Sequence, residues 1–278
     1  MTIRPVEIPQ DAFVLVIGAM KSGTTTFFSH LTDHPAVARS RVNEPEYFSA
    51  SQQHGIEVKR YDDLWDYDPR RHRYCAEAST GYSKYPHESG VPDRMRAAGI
   101  EPRFVYLVRD PVDRIESQYN HGRVRRTSWA YDDFFEPGLL DLSRYFMQLE
   151  QYLLRYPDRD RYRVVDFEQL ISAPRRVMTD VHRWLDLDPV PVLEDRHENR
   201  TPEPSRLELL LDDLDLSAPL ARVPARVKEG AKRALRRVAP GKRRMSGEER
   251  ERARDYLRAD ILEFGREFEF PVEKWGFR

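Results

Sequence analysis

The sequence has little cysteine, no long apolar run and almost no net charge. Cys75 is the only cysteine among 278 residues, which excludes an intrachain disulfide framework and a cysteine-based zinc cluster. No window approaches about 18 uninterrupted apolar residues, and residues 1–11 are too polar for the apolar core of a signal peptide. We therefore expect a soluble, cytoplasmic chain with no stable membrane insertion.

The charge balance also argues against one class of partner. The 46 basic residues nearly cancel the 47 acidic ones, which leaves a net charge of −1. Bulk charge therefore does not favour nucleic acid as a partner. With 40% hydrophobic residues and no internal repeat, we expect residues 1–278 to form one large α/β domain.

The first informative stretch is an apolar run followed by a small-residue turn. Residues 13–17 are all apolar, and Gly18, Lys21 and Gly23 follow within six positions. This pattern is typical of a buried parallel strand that leads into a phosphate-binding loop and a helix. The first amides of a helix lack intrahelical acceptors and lie at the positive end of its dipole, so the loop is predicted to bind an anion.

The spacing differs from that of a nucleoside triphosphatase. In the pattern G-x-x-x-x-G-K-[ST], Gly18 and Gly23 keep the two glycines, but Thr24 occupies the lysine position. The lysine has moved to Lys21, inside the loop.

A second strand-to-helix junction follows at residues 104–120. An apolar run at residues 104–108 precedes Arg109, and Asp110 with Pro111 predicts a capped helix start. Ser117 lies eight positions after Arg109, on that helix. Two such junctions define a ligand crevice. An alternative is that Asp110 is an acid that binds magnesium.

Together, K-S-G-T-T-T and Y-L-V-R-D-P with its downstream serine resemble sulfotransferases that use 3′-phosphoadenosine 5′-phosphosulfate (PAPS). The motifs are closest to those of the glycan-type and bacterial members. The resemblance implies a P-loop-like α/β three-layer sandwich, with a central, mostly parallel sheet between helices. It implies PAPS as donor, adenosine 3′,5′-bisphosphate as product, and no metal. Arg109 and Ser117 would hold the 3′-phosphate. The 5′-phosphosulfate would be bound by Lys21, Ser22, Gly23, Thr24, Thr25 and Thr26.

A carboxylate-rich segment lies just after the first predicted helix. From its spacing alone, E-P-E-Y-F at residues 44–48 predicts an extended surface turn. It resembles the K-E-P-x-[FY]-F segment of glycan-type sulfotransferases, which implies Glu44 as the general base. Asn43 replaces the lysine of that family pattern and argues mildly against a highly anionic glycan. Glu46 and Glu77 remain alternative bases.

Residues 74–82 predict a short strand that ends in a turn, and they resemble the family segment G-E-x-S-P-x-Y, with Thr80 in the place of proline. For Tyr82, core packing is an equally good interpretation. The residues predicted to face the acceptor are Glu46, Tyr47, Phe48, Ser79 and Tyr82.

The rest of the chain alternates strands and helices. We predict a helix at 143–156, a strand at 162–168, a helix at 174–187, and a last helix after a capping box at Ser246. On that last helix, a buried face is predicted at Ala253, Tyr256, Leu257, Ile261 and Phe264.

The stretch 202–244 differs in composition and is predicted to be a mobile flap or insertion. Residues 221–244 contain ten Lys or Arg against one Glu. A solvated basic helix and a flap that closes over the nucleotide are both consistent with this pattern. By resemblance to the glycine/lysine/arginine loop of the family, the nucleotide contacts there would be Lys242, Arg243 and Arg244.

The motifs predict an enzyme that transfers a sulfuryl group from PAPS to a hydroxyl or amine of a glycan or natural-product acceptor. Two alternatives remain at this point. One is a magnesium-dependent small-molecule kinase on the same fold, and the other is a catalytically silent nucleotide-binding module.

Overall fold

The structure is a computed structural model that describes residues 8–50, 60–125, 131–192 and 242–278. The predicted flap at 202–244 lies outside these ranges except for its last three residues. No helix among the described residues is long and apolar enough to cross a membrane.

A parallel five-stranded sheet forms the centre of the fold. Its order is β2-β3-β1-β4-β5, and every neighbouring pair is parallel. The strands are β1 (Phe13–Gly18), β2 (Val37–Arg39), β3 (Tyr74–Ala78), β4 (Arg103–Val108) and β5 (Tyr162–Asp166).

Helices cover both faces of this sheet. They are α1 (Thr24–Thr32), α2 (Val91–Ala97), α3 (Pro111–Arg125), α4 (Pro137–Asp141), α5 (Tyr145–Leu153), α6 (Phe167–Ser172), α7 (Pro174–Trp184) and α8 (Gly247–Glu267). Short 3-10 helices are formed by Tyr61–Leu64, Thr80–Ser83, Arg159–Arg161 and Val272–Trp275.

Alternation along β1 divides the core into two layers. Phe13, Leu15 and Ile17 pack on one face, against α2, α3, α5 and α8. Val14 and Val16 pack on the other face, against α1, α6 and α7. All six β1 residues are buried, as expected for a strand covered on both sides. The predicted three-layer α/β sandwich with a parallel sheet is confirmed.

Some predicted boundaries need correction. The strand predicted at 162–168 ends at Asp166, because the Asp166 carboxylate accepts a hydrogen bond from the Glu168 amide (3.2 Å) and caps α6. The helix predicted at 174–187 ends at Trp184. Tyr256, predicted on the buried face of α8, is 48% exposed. The other four residues predicted on that face are buried, and Cys75 is a buried core residue.

Candidate active site

The loop after β1 makes a tight turn into α1. Gly23 is the N-cap of α1, with φ 82°, and Lys21 has φ 70°. A Cβ at Gly23 would lie 2.8 Å from the Phe167 ring, so this position requires glycine for both its backbone conformation and its surroundings. The loop thus presents the amino end of α1 at the carboxyl edge of the sheet.

Two polar side chains of this loop fit an anionic ligand. The buried Ser22 hydroxyl has no hydrogen-bond partner within the described part of the chain. Such an unsatisfied buried group is costly unless something binds it. The Lys21 ammonium lies 3.2 Å from Nδ1 of His121, so it is held next to α3.

His121 was not identified from the sequence. It lies four positions after Ser117 on α3, and residues at this spacing share a helix face. The four-residue spacing from Ser117 is the sequence feature that could have identified His121. The contact with Lys21 brings the β1 loop and the Ser117 face of α3 together.

Arg109 follows directly after β4. Its carbonyl oxygen accepts a 2.7 Å hydrogen bond from the Tyr145 hydroxyl, which fixes the backbone at the strand end. Its guanidinium lies 5.2 Å from the centre of the Phe167 ring, the same ring that packs against Gly23. The loop and the arginine therefore meet at one aromatic side chain.

Asp110 caps α3. Its Oδ1 accepts hydrogen bonds from the amides of Val112 (2.8 Å) and Asp113 (3.2 Å). Burial raises the pKa of Asp110, while the two amides oppose that rise. One carboxylate oxygen is thus used by the helix start, as the Asp-Pro pattern predicts.

Glu44 lies on a turn between β2 and β3. It has φ 47°, is half-buried, and accepts a hydrogen bond from the Thr80 hydroxyl (3.3 Å). Thr80 begins the 3-10 helix directly after β3. The Glu44 carboxylate is therefore held at the carboxyl edge of the sheet, yet remains partly accessible.

Glu46, by contrast, is 1% exposed. Its carboxylate accepts hydrogen bonds from the Gly81 amide (2.7 Å) and the Ser49 hydroxyl (2.8 Å). Burial raises its pKa to about 7, against the opposing effects of these bonds and of Lys84. A Cβ at Gly81 would lie 2.2 Å from Oε2 of Glu46, so the carboxylate packs directly on the backbone.

Glu77 is fully buried beneath this turn. It accepts hydrogen bonds from the hydroxyls of Tyr61 (2.6 Å), Ser79 (2.8 Å) and Tyr82 (3.1 Å). Burial raises its pKa to about 7, although the three hydroxyls act in the opposite direction. Glu77 thus anchors the framework below the 44–48 segment.

Several residues predicted to face the acceptor lie in the core instead. Phe48, Ser79 and Tyr82 are at most 3% exposed. The Ser79 hydroxyl accepts a bond from the Glu46 amide (3.0 Å), and the Tyr82 hydroxyl accepts one from the Phe48 amide (3.2 Å). In this structure these side chains, with Glu46, pack beneath the segment 44–48 and do not line its surface. Tyr47 is half-buried and packs on Phe48.

The segment at residues 242–244 lies against α3. Asn120 exchanges two 2.9 Å hydrogen bonds with the backbone of Arg243. The Arg243 guanidinium pairs with Glu249 (3.0 Å) and lies 4.5 Å from the centre of the Phe134 ring. The Arg243 side chain thus docks this segment onto the protein, while Lys242 and Arg244 are exposed beside the same helix.

The residues predicted to bind the donor suit a ligand with two anionic ends. The β1 loop supplies helix amides, a lysine and hydroxyls, while the β4 junction supplies a guanidinium and the hydroxyl of Ser117. β1 and β4 are neighbours in the sheet, so both groups lie at adjacent strand ends. Forked guanidinium bonds and helix amides are the groups that bind phosphate well.

A comparison with known families identifies the chain. The family model described as a sulfotransferase domain matches residues 11–203. The chain belongs to the sulfotransferase domain family. This result confirms the family predicted from the loop and from the Arg109 motif.

Similar sulfotransferases include two that are named for heparan sulfate. The mouse (Mus musculus) bifunctional heparan sulfate N-deacetylase/N-sulfotransferase 4 is 27% identical over 199 residues, which cover 63% of this chain and 22% of that protein. Human (Homo sapiens) heparan sulfate glucosamine 3-O-sulfotransferase 5 is 26% identical over 192 residues, covering 63% and 53% respectively. This sulfotransferase domain thus spans only about a fifth to a half of the length of these relatives.

A solved structure shows the same fold over nearly the whole chain. The sulfotransferase from Alicyclobacillus acidocaldarius matches with a TM-score of 0.65 at 19% identity, covering 96% of this chain and 99% of that one. At this identity the match establishes the P-loop-like fold of the sulfotransferases.

Proposed function

We propose that this chain transfers a sulfuryl group from PAPS to a hydroxyl or amine of a carbohydrate-like acceptor. The proposal rests on one observation: three chemically distinct segments lie at the carboxyl ends of three neighbouring strands, β3, β1 and β4. The turn with Glu44 packs on the end of β3, the Lys21 loop follows β1, and Arg109 follows β4. This arrangement supplies one basic carboxylate and two anion sites along a single edge.

The donor is assigned to the β1 and β4 segments. Arg109 and Ser117 hold the 3′-phosphate, which distinguishes this donor from ATP. The loop amides and the hydroxyls of Ser22, Thr24, Thr25 and Thr26 bind the 5′-phosphosulfate. Lys242 and Arg244, in the segment that Asn120 holds against α3, are proposed to add further contacts.

Lys21 neutralises charge as transfer proceeds. A bond forms between sulfur and the acceptor atom, and the bond between sulfur and the 5′-phosphate oxygen breaks, which leaves negative charge on that oxygen. An ammonium and preorganised amides stabilise developing charge of this kind. His121, in contact with Lys21, orients the ammonium.

Glu44 is proposed as the general base that takes the acceptor's proton. Glu46 and Glu77 are less suited, because both are buried and their oxygens accept hydrogen bonds from the framework. A general base must come within hydrogen-bond reach of the acceptor. Of the three, only Glu44 combines partial exposure with a place at the strand edge.

The acceptor class is proposed from two features. The heparan sulfate sulfotransferases among the relatives favour a carbohydrate, and the half-buried ring of Tyr47, three residues after Glu44, suits the face of a sugar. Asn43, in place of a lysine, favours a less anionic sugar or a natural product with a similar hydroxyl.

Substitution of the three carboxylates tests the assignment. Glu44→Gln is expected to lower turnover by about 10²–10⁴-fold, measured as adenosine 3′,5′-bisphosphate released from PAPS with desulfated heparan oligosaccharides or p-nitrophenol as acceptor. Bisphosphate affinity by calorimetry should stay near the wild-type value. Glu46→Gln and Glu77→Gln should lower turnover less. Near-normal turnover in Glu44→Gln, with the large loss in either other variant, would place the base elsewhere.

A further inference from the structure

A fully buried arginine lies between the two residues that are proposed to hold the 3′-phosphate. Arg114 is on α3, five positions after Arg109 and three before Ser117, and it is 0% exposed. Within the described part of the chain, its guanidinium forms no ion pair with a carboxylate. Charged side chains are almost never this buried unless they are paired. The place of Arg114 therefore calls for a reason beyond the packing of α3.

The guanidinium of Arg114 binds uncharged acceptors of the segment that runs from α4 to α5. Its Nε donates to the Ser143 hydroxyl (2.5 Å), and its Nη2 donates to the Leu139 carbonyl (3.0 Å). The Ser143 hydroxyl in turn donates to the carbonyl of Pro111 (3.1 Å), the first residue of α3. Arg114 thus holds this segment against the start of its own helix.

Two positions after Ser143, the hydroxyl of Tyr145 contacts the backbone of Arg109 through both of its polar groups. It donates to the Arg109 carbonyl (2.7 Å) and accepts from the Arg109 amide (3.4 Å). Tyr145 is fully buried at the start of α5, and its ring packs edge-on against Tyr106 of β4, with 5.8 Å between the ring centres. The backbone of Arg109 is therefore held by Tyr145, which follows the segment that Arg114 binds.

Stability alone does not explain an arginine at position 114. Its Nη1 is buried and has no hydrogen-bond partner among the described residues. An unsatisfied buried donor is costly, and an apolar side chain of similar size would avoid both this cost and the burial of a charge. Geometry gives a better reason, because a guanidinium binds phosphate well only when its forked donors face the oxygen atoms.

We propose that Arg114 is a positioning residue for the 3′-phosphate: by holding residues 139–145 it fixes the backbone of Arg109, whose guanidinium then faces the ligand. The inference rests on the proposed function, in which Arg109 binds this phosphate. Arg114 acts through its neighbours, since its own side chain has no exposed surface. Its loss should therefore weaken ligands that carry a 3′-phosphate and spare those that lack one.

Two nucleotides and the variant Arg114→Met test this role. Calorimetry measures the affinities for adenosine 3′,5′-bisphosphate and for adenosine 5′-monophosphate. The preference for the bisphosphate is expected to fall by about tenfold, the lower end of the loss expected for Arg109→Ala. Affinity for the monophosphate should stay within about twofold of the wild-type value. An unchanged preference, or an equal loss for both nucleotides, overturns the proposal.

Tyr145→Phe tests the other end of the same connection and replaces Arg114→Met if that variant does not fold. It removes only the hydroxyl that contacts Arg109, and it should lower the preference for the bisphosphate in the same way. Tyr156→Phe is the matched control, because the equally buried hydroxyl of Tyr156 also donates to a backbone carbonyl, that of Ile100 (3.0 Å), before the amino end of β4. It should leave the preference unchanged. A normal preference in Tyr145→Phe, or an equal fall in Tyr156→Phe, overturns the proposal.

A double variant shows whether the two residues act together. If Arg114 acts through Tyr145, the loss of preference in Arg114→Met/Tyr145→Phe should be smaller than the product of the two single losses. Independent losses that multiply contradict the proposal.

Arg109→Ala separates this inference from the proposed function. If that variant keeps the preference for the bisphosphate, Arg109 does not bind the 3′-phosphate, and both the donor assignment and the positioning role are overturned. If Arg109→Ala loses the preference while Arg114→Met and Tyr145→Phe keep it, only the positioning role is overturned.

Discussion

At the scale of single residues, Arg109 gives the most selective test of the donor site. Its guanidinium is assigned to the 3′-phosphate, and its position is set by Tyr145 and Phe167. Charge-assisted hydrogen bonds are worth about 1.5–3 kcal/mol, so Arg109→Ala should weaken adenosine 3′,5′-bisphosphate by about ten- to hundredfold. Adenosine 5′-monophosphate should bind nearly as before. Calorimetry with both ligands checks this, with the exposed Arg183→Ala as control. Equal losses for the two ligands would contradict the assignment.

The buried carboxyl group of Glu46 is expected to make the free energy of unfolding depend on pH. Burial raises its pKa in the folded state from 4.5 to about 7. Between these two pKa values, Glu46 holds a proton in the folded chain that it has lost in the unfolded chain. The contribution of Glu46 to the free energy of unfolding is therefore fully present below about pH 4.5 and is lost as the pH rises through about 7. The free energy of unfolding should therefore fall between pH 5 and pH 8, and fall less in Glu46→Gln.

Urea unfolding at the two pH values measures this difference. The exposed carboxylate of Glu273 provides a control, Glu273→Gln, which should keep the wild-type dependence. A Glu46→Gln variant that loses as much stability as the wild type between pH 5 and pH 8 would show that Glu46 is ionised in the folded chain throughout this range.

The same residues show what the sequence could reveal of the site. The spacing of Lys21, Gly23, Arg109 and Ser117 was readable, because each follows an apolar strand at a characteristic distance. The sequence did not reveal which of the two carboxylates, Glu44 or Glu46, is buried. Both have φ near 50°, at 47° and 50°, and this turn points one carboxylate inward and leaves the other partly accessible. Only the tertiary contact with Gly81 decides which one is buried.

At the scale of elements, the start of α1 is predicted to depend on Gly23. A non-glycine residue at φ 82° costs about 1–3 kcal/mol, and its Cβ would also displace Phe167, which packs on Arg109. Gly23→Ala should therefore lower both the stability and the bisphosphate affinity.

Gly99 offers a matched control for that prediction. It has a similar φ of 76°, but the nearest atom to an added Cβ is a side-chain atom of Gln10 at 3.6 Å, an ordinary contact. Gly99→Ala should lose stability through backbone strain alone and bind the bisphosphate normally. A Gly23→Ala variant with unchanged affinity would separate the α1 loop from donor binding.

Helix boundaries that a local sequence pattern marks were predictable, and boundaries that depend on tertiary contacts were not. The capping box of α8 is present as predicted: the Ser246 hydroxyl accepts from the Glu249 amide (3.1 Å), and Glu249 accepts from the Ser246 amide (2.7 Å). The helix predicted at 143–156 instead begins at Tyr145 and ends at Leu153. Ser143 is used elsewhere, since its hydroxyl accepts from the buried Arg114 (2.5 Å) and donates to the Pro111 carbonyl (3.1 Å).

At the scale of the whole molecule, the order of the strands brings the chemistry together. The apolar runs of β1 and β4 predicted parallel strands, and the structure confirms them. The three-residue β2 is too short to carry a periodic signal, and its place at the sheet edge depends on pairing with β3, far along the chain. That pairing brings the Glu44 turn to the edge formed by β1 and β4.

Sulfuryl transfer from PAPS is proposed to use the lysine, the amides and the guanidinium along that edge. Because a transferring sulfuryl group carries less negative charge than a phosphoryl group, these groups are expected to suffice without magnesium. The most direct test follows sulfur-labelled PAPS and phosphate-labelled ATP in parallel, with desulfated heparan oligosaccharides and p-nitrophenol as acceptors, in EDTA and in magnesium. We expect labelled sulfur to reach an acceptor at the same rate in both conditions, and phosphate from ATP to reach none. Magnesium-dependent phosphate transfer, or PAPS binding without sulfur transfer to any acceptor, would contradict it.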